Sequence, residues 1–87
     1  MDSYRKTLKY QLQRLHMSKY AISPTMRENI KFFIDELHNK IHDWSEYDIE
    51  DLDKLIDIVS EYPEIFPKEY EDKFQDIIKE FRKKKNI

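Results

Sequence analysis

Two histidines four residues apart, His38 and His42, come closest in this sequence to a chemical constellation. That spacing brings two imidazoles to one side of a helix, where a divalent metal could bridge them, and Asp35 and Glu46 lie near the same flank. The zinc-protease pattern needs a Glu directly after the first His, a position Asn39 occupies here, and no third ligand is fixed by spacing. The pair is therefore read as two exposed, uncoordinated histidines, and no metal is expected. His16 is read as a boundary residue beside the apolar stripe of the first helix.

Carboxylate pairs capable of acid–base work can be found almost anywhere in a chain with 18 Asp and Glu among 87 residues, so they diagnose nothing. Ser3, Ser18, Ser23, Ser45 and Ser60 fall at helix starts, ends or faces, without the strained elbow and ordered His that make a serine nucleophilic. The chain has no Gly, which removes the loops that cradle phosphates in P-loop and dinucleotide sites. It has no Cys, so neither a disulfide framework nor a thiolate metal site is available. A bundle of this size is expected to leave little concave volume for a substrate. No cofactor, no catalytic residue and no enzymatic activity are expected.

The elements that must carry any site are helices. Tyr4, Leu8, Leu12 and Leu15 recur at steps of four, four and three, the period of one helical face, and predict a helix over about 2–19. Ser23 and Pro24 suit the cap and first turn of a second helix over about 24–43. Its stripe is Met26, Ile30, Phe33/Ile34, Leu37, Ile41 and Trp44. Ser45 or Asp48 can cap a third helix over about 48–62, with the stripe Ile49, Leu52, Leu55/Ile56, Val59 and Tyr62. Pro63 and Pro67 bracket a rigid connector whose Ile65 and Phe66 tuck under the bundle. A fourth helix over about 67–84 then uses Tyr70, Phe74, Ile77/Ile78 and Phe81. The fold class is all-α: a small antiparallel bundle of four helices, one domain over residues 1–87, with up-down-up-down order favoured by the short linkers. A three-helix core with the first helix swung outward is the alternative.

Charge is segmented along this frame. Residues 1–31 hold seven Lys and Arg against two Asp and Glu; residues 32–72 hold three against fourteen; residues 73–87 hold six against two. The simplest consequence is that the basic ends fold along the acidic middle and help order the helices. A second consequence is a nucleic-acid footprint: Lys6, Lys9 and Arg14 on the first helix, with Arg82, Lys83 and Lys84 at the C-terminal end, around a stackable Tyr10. A third is that Asp43, Glu46, Asp48, Glu50, Asp51, Asp53, Asp57, Glu61 and Glu64 imitate a phosphate track, making the chain an acidic nucleic-acid mimic. The pI of 5.9 lies below that of a dedicated nucleic-acid binder.

Three apolar side chains do not belong to any stripe. Phe32 falls on the polar back of the second helix among Glu28, Asp35, Glu36 and Asn39, and Tyr10 and Met17 fall opposite the leucines of the first. Phe32, Tyr10, Met17, Asp35 and Glu36 are accordingly the expected partner-binding residues, since interfaces favour aromatic anchors with charged rims. The functional expectation is a non-enzymatic protein-interaction module that engages another protein or a second copy of itself. The Lys-, Ile- and Asp-heavy composition resembles an AT-rich coding bias, which suggests a small regulator or inhibitor from a phage or mobile element. No stretch approaches the roughly 20 apolar residues of a membrane span, and the charged N-terminal segment is unlike a secretory signal, so a cytoplasmic location is expected.

Overall fold

Each apolar stripe folds as the helix its period demands. In the computed structural model, which describes residues 3–18 and 22–85, the chain forms α1 (Ser3–Leu15), α2 (Pro24–Asn39), α3 (Glu46–Glu61) and α4 (Glu71–Lys85), with no strand among the described residues. Short 3₁₀ turns, Pro63–Ile65 and Lys68–Tyr70, bridge α3 to α4. Positions 2 and 19, the expected limits of the first helix, lie outside the described residues.

Cross-helix contacts give the directions. Arg5 meets Glu36 and Gln11 meets Asn29, so α1 runs antiparallel to α2. Arg5 also meets Asp48, and the Tyr62 hydroxyl donates to the Leu15 carbonyl, so α1 runs parallel to α3. The pairs Lys31–Glu69, Lys73–Asp35 and His38–Asp76 run α2 parallel to α4. The up-down-up-down order is thus present, with α2 packed closely against both α1 and α4. Leu8, Leu12 and Leu15 join a continuous core with Met26, Ile30, Phe33, Ile34, Leu37, Leu52, Leu55, Ile77 and their neighbours, so the first helix is docked rather than swung out.

Four helix limits depart from the periodic expectation, each for a local reason. Beyond Leu15 the chain tightens into three-residue hydrogen bonds, His16 to Gln13 and Met17 to Arg14, and Met17 therefore lies on the turn rather than on the helix back. Helix α2 stops at Asn39, not Asp43: the Lys40 amide closes on Glu36, and the Trp44 indole N–H donates to the Leu37 carbonyl at 3.0 Å. Trp44 is in the core, as its spacing suggested, but as a plug that satisfies a terminal carbonyl rather than as a helical residue. Ser45, one of the two expected caps, caps α3 with Asp48 as its capping-box partner, so the helix starts at Glu46, two residues before the expected 48. Pro67 is buried and extended, so α4 begins only after the Lys68–Tyr70 turn. On α3, Ile58 is buried where Val59 and Ile49 are half-buried, rotating the inward face slightly. Ile65 is buried in the connector, and the Phe66 ring packs at a tilt against Phe74 with centroids 4.8 Å apart.

Leu37 lies at the centre of this core with no exposed surface. Leu37→Ala is expected to cost ~2–5 kcal/mol, enough to unfold most of so small a chain. Circular dichroism melting should show the loss; an unchanged melt would mean that α2 faces the other way.

Candidate functional site

Arg5 follows Tyr4 on α1 and shares a helical edge with Leu8 and Leu12, so its side chain enters the bundle beside the apolar stripe. There its guanidinium donates to Asp48 at 2.7 Å, Glu36 at 3.2 Å and Asp51 at 3.3 Å. It also lies 4.6 Å over the Phe33 ring. Lys40 reaches Asp48 at 2.9 Å and Glu36 at 3.4 Å, Lys9 reaches Asp51 at 3.2 Å, and the Tyr4 hydroxyl donates to Glu36. The cluster ties α1, α2 and α3 together. The Arg5 Nε is its one buried side-chain nitrogen or oxygen atom without a partner among the described residues.

Burial alone would raise the Asp48 carboxyl, but the Ser45 amide, Lys40 and Arg5 outweigh it and hold the group at about 2. Burial, reinforced by the Glu36 carboxylate, pushes Tyr4 up to about 12. Neither group sits poised to exchange protons near neutrality, so the cluster is a structural clamp rather than an acid–base pair.

Between α1 and α3 the chain opens into a cleft of about 720 Å³. Its floor is Leu8, Leu12, Phe33, Leu55 and Ile58, and its rims carry Lys9 and His16 on one side and Lys54, Asp57 and Glu61 on the other. The expectation of little concave volume is corrected here. The Arg5 and Lys9 ion pairs tie the two helices from the start to the middle of α1, and the Tyr62–Leu15 hydrogen bond ties them at its end.

No protein-family model, curated protein or solved structure matches this chain. Its chemistry must be read from its own side chains.

The expected partner-binding residues are not gathered in one cluster. Phe32 stands exposed on the α2 back, its ring edge-on to Tyr4 at 5.9 Å. Tyr10 is exposed beneath the Arg14 guanidinium at 5.7 Å, and Met17 projects from the turn after α1. Asp35 receives hydrogen bonds from Lys73 at 2.7 Å and Tyr70 at 3.1 Å, and the Lys73 bond first among these holds its carboxyl below the usual range. Glu36 belongs to the Arg5 cluster. Among the cations of the nucleic-acid alternative, Lys9 pairs with Asp51 and Lys84 with Glu80, while Lys6, Arg82 and Lys83 form no ion pair among the described residues.

His38 and His42 each face a carboxylate on the α4 side, His38 to Asp76 at 3.2 Å and His42 to Glu80 at 3.7 Å. Asp35 and Glu46, placed near that flank by sequence, are not the partners. No group of three metal-binding side chains converges among the described residues, and no described helix is long and apolar enough to cross a membrane. Two features escaped sequence reasoning. Arg5 was visible only as one of seven N-terminal cations, although its place three and seven residues before Leu8 and Leu12 marks it as stripe-edge. Tyr47 is exposed and shares a helical line with Asp51, Lys54 and Ile58, a spacing the sequence does display.

A carboxyl that is more acidic in the folded chain contributes stability that is complete above its unfolded value and disappears as pH falls through the folded one. For Asp48 the window runs from 3.8 down to about 2. The melting temperature should fall across it, with Asp48 accounting for about 2 kcal/mol. Asp48→Asn should remove that component from a pH series of thermal melts; an identical acid limb in the variant would show that Asp48 is not held by the clamp.

Proposed function

We propose that this chain is a non-enzymatic protein-interaction module that presents the back of α2 to another protein, with Phe32 as the anchor. The observation that carries this reading is that Phe32 keeps 52% of its surface exposed while Met26, Ile30, Phe33, Ile34 and Leu37 on the same helix are buried. An aromatic ring already steadied by Tyr4 loses little freedom when a partner covers it, so more of its contact energy appears as affinity. Asp35 and Glu36 beside it are held by their own intrachain partners and offer a fixed charged rim. Tyr10 and Met17 are separately exposed on α1 and the turn after it. The finer assignment, a small regulator or inhibitor from a phage or mobile element, rests on composition and on this exposed anchor.

A nucleic-acid role draws less support. Of the expected footprint, Lys9 and Lys84 are matched by carboxylates within the chain and Arg14 lies over Tyr10, while Lys6, Arg82 and Lys83 form no ion pair among the described residues. A phosphate-based interaction would weaken steeply with salt.

Phe32→Ala should change stability by no more than about 1 kcal/mol, because the residue loses mainly an exposed edge contact. It should weaken partner association about tenfold or more. Capture of partners from a nuclease-treated lysate by wild type and variant, with sedimentation of each alone, reads both effects and separates a foreign partner from a second copy. A sharp drop in melting temperature would place Phe32 in the core and end its role as anchor. Capture that vanishes on nuclease treatment would instead favour nucleic acid.

A further inference from the structure

We infer that the cleft between α1 and α3 is a docking groove for a cationic amphipathic helix of another protein. This surface is separate from the one proposed above: Phe32 does not line the cleft, and its neighbour Phe33 forms part of the floor. The two surfaces therefore fail independently.

Shape comes first. Two parallel helices flank a floor of Leu8, Leu12, Phe33, Leu55 and Ile58, supplied by three different helices. Along α1 the lining runs from Arg5 to His16, about 16 Å at 1.5 Å per residue, which matches three turns of a docked helix. Three turns present apolar side chains at i, i+3 or i+4, and i+7, the usual anchors of a helix laid in a groove.

Charge then selects the occupant. The cations lining the cleft are already matched within the chain: Arg5 by Asp48 and Asp51, Lys9 by Asp51, and Lys54 by Glu50. Asp57 and Glu61 on the α3 rim form no ion pair among the described residues, and Glu46 lies on the same face, beside Glu50 and Asp53, which pair with Lys54 and Lys85. At the end of this rim Tyr47, 77% exposed, lies in line with Asp51, Lys54 and Ile58 and offers a ring face to a cation. An occupant with an apolar stripe and Lys or Arg toward α3 satisfies all three features. A phosphate backbone would meet the same carboxylates and be repelled. A second copy would bring identical carboxylates, and the apolar stripes of its described helices are buried in its core, so among the described residues it has no free amphipathic helix to offer.

The test uses the full chain and three synthetic peptides of about 15 residues. One has Leu at i, i+3/i+4 and i+7 with Lys elsewhere; the second is its scramble; the third replaces Lys by Glu. Calorimetric titration should show the Leu/Lys peptide binding about tenfold or more tightly than either control. Amide shift changes should concentrate on the facing sides of α1 and α3. Asp57→Lys combined with Glu61→Lys should cut affinity about tenfold or more while helicity and melting stay unchanged, and Phe32→Ala should leave binding intact. Should the double variant fold poorly, shift mapping on the wild type decides alone. Equal binding of the scramble, shifts centred elsewhere, or a folded double variant with unchanged affinity would overturn the inference. So would sedimentation showing a dimer that the double variant dissolves.

Discussion

A guanidinium taken out of water is tolerated only where carboxylates surround it, because burying an unpaired charge costs several kcal/mol. Arg5, with 12% of its side chain exposed, meets that condition through Asp48, Glu36 and Asp51, contributed by α2 and α3. Apolar stripes decide which face of each helix turns inward, but a smooth leucine row can slide along its neighbour at small cost. The Arg5 hydrogen bonds cannot. They set the height of α1 against the last turn of α2 and the first turn of α3 at once, and they leave Asp48 fixed between Arg5, Lys40 and the Ser45 amide.

The cleft lies along the same α1–α3 seam, with Arg5, Lys9 and Asp51 in its lining. Helices α1 and α3 are tied by Arg5 and Lys9 to Asp51 and again where Tyr62 reaches Leu15, and Leu8, Leu12, Leu55 and Ile58 are buried along the same seam. Phe33 of α2 completes the floor of the cleft.

Much of this architecture was legible in the residues because helices announce themselves by period. The stripes of α1, α2 and α4 identify Leu8, Leu12, Met26, Leu37, Phe74 and Ile77 as core, and all are buried. Less legible were the ends. Trp44 has the spacing of a helical residue and reaches the core, yet it does so by folding back on the Leu37 carbonyl, a contact that periodicity cannot distinguish from one more helical turn. Asp48 looked like a cap or a surface acid because its burial depends on Arg5, a residue 43 positions away. Phe32 was placed correctly on an exposed back, since a residue off the stripe needs no knowledge of the tertiary partners. The segmented charge signalled that the basic ends and acidic middle would meet, as Lys73–Asp35, Lys85–Asp53 and the Arg5 cluster do. It carried no information on which carboxylates would be left over at a rim.

The dependence of α1 on its buried cation is open to a direct measurement. Replacing Arg5 by Met keeps the stem and the contact with Phe33 but leaves Asp48, Glu36 and Asp51 without their shared cation. Amide hydrogen exchange resolves the consequence helix by helix. In Arg5→Met the amides of Leu8, Leu12 and Leu15 should lose protection by about tenfold or more relative to those of Ile30, Ile34 and Ile77. Protection in α1 that falls no further than protection in α2 and α4 would contradict the account, and would mean that the leucine stripe alone holds the first helix in place.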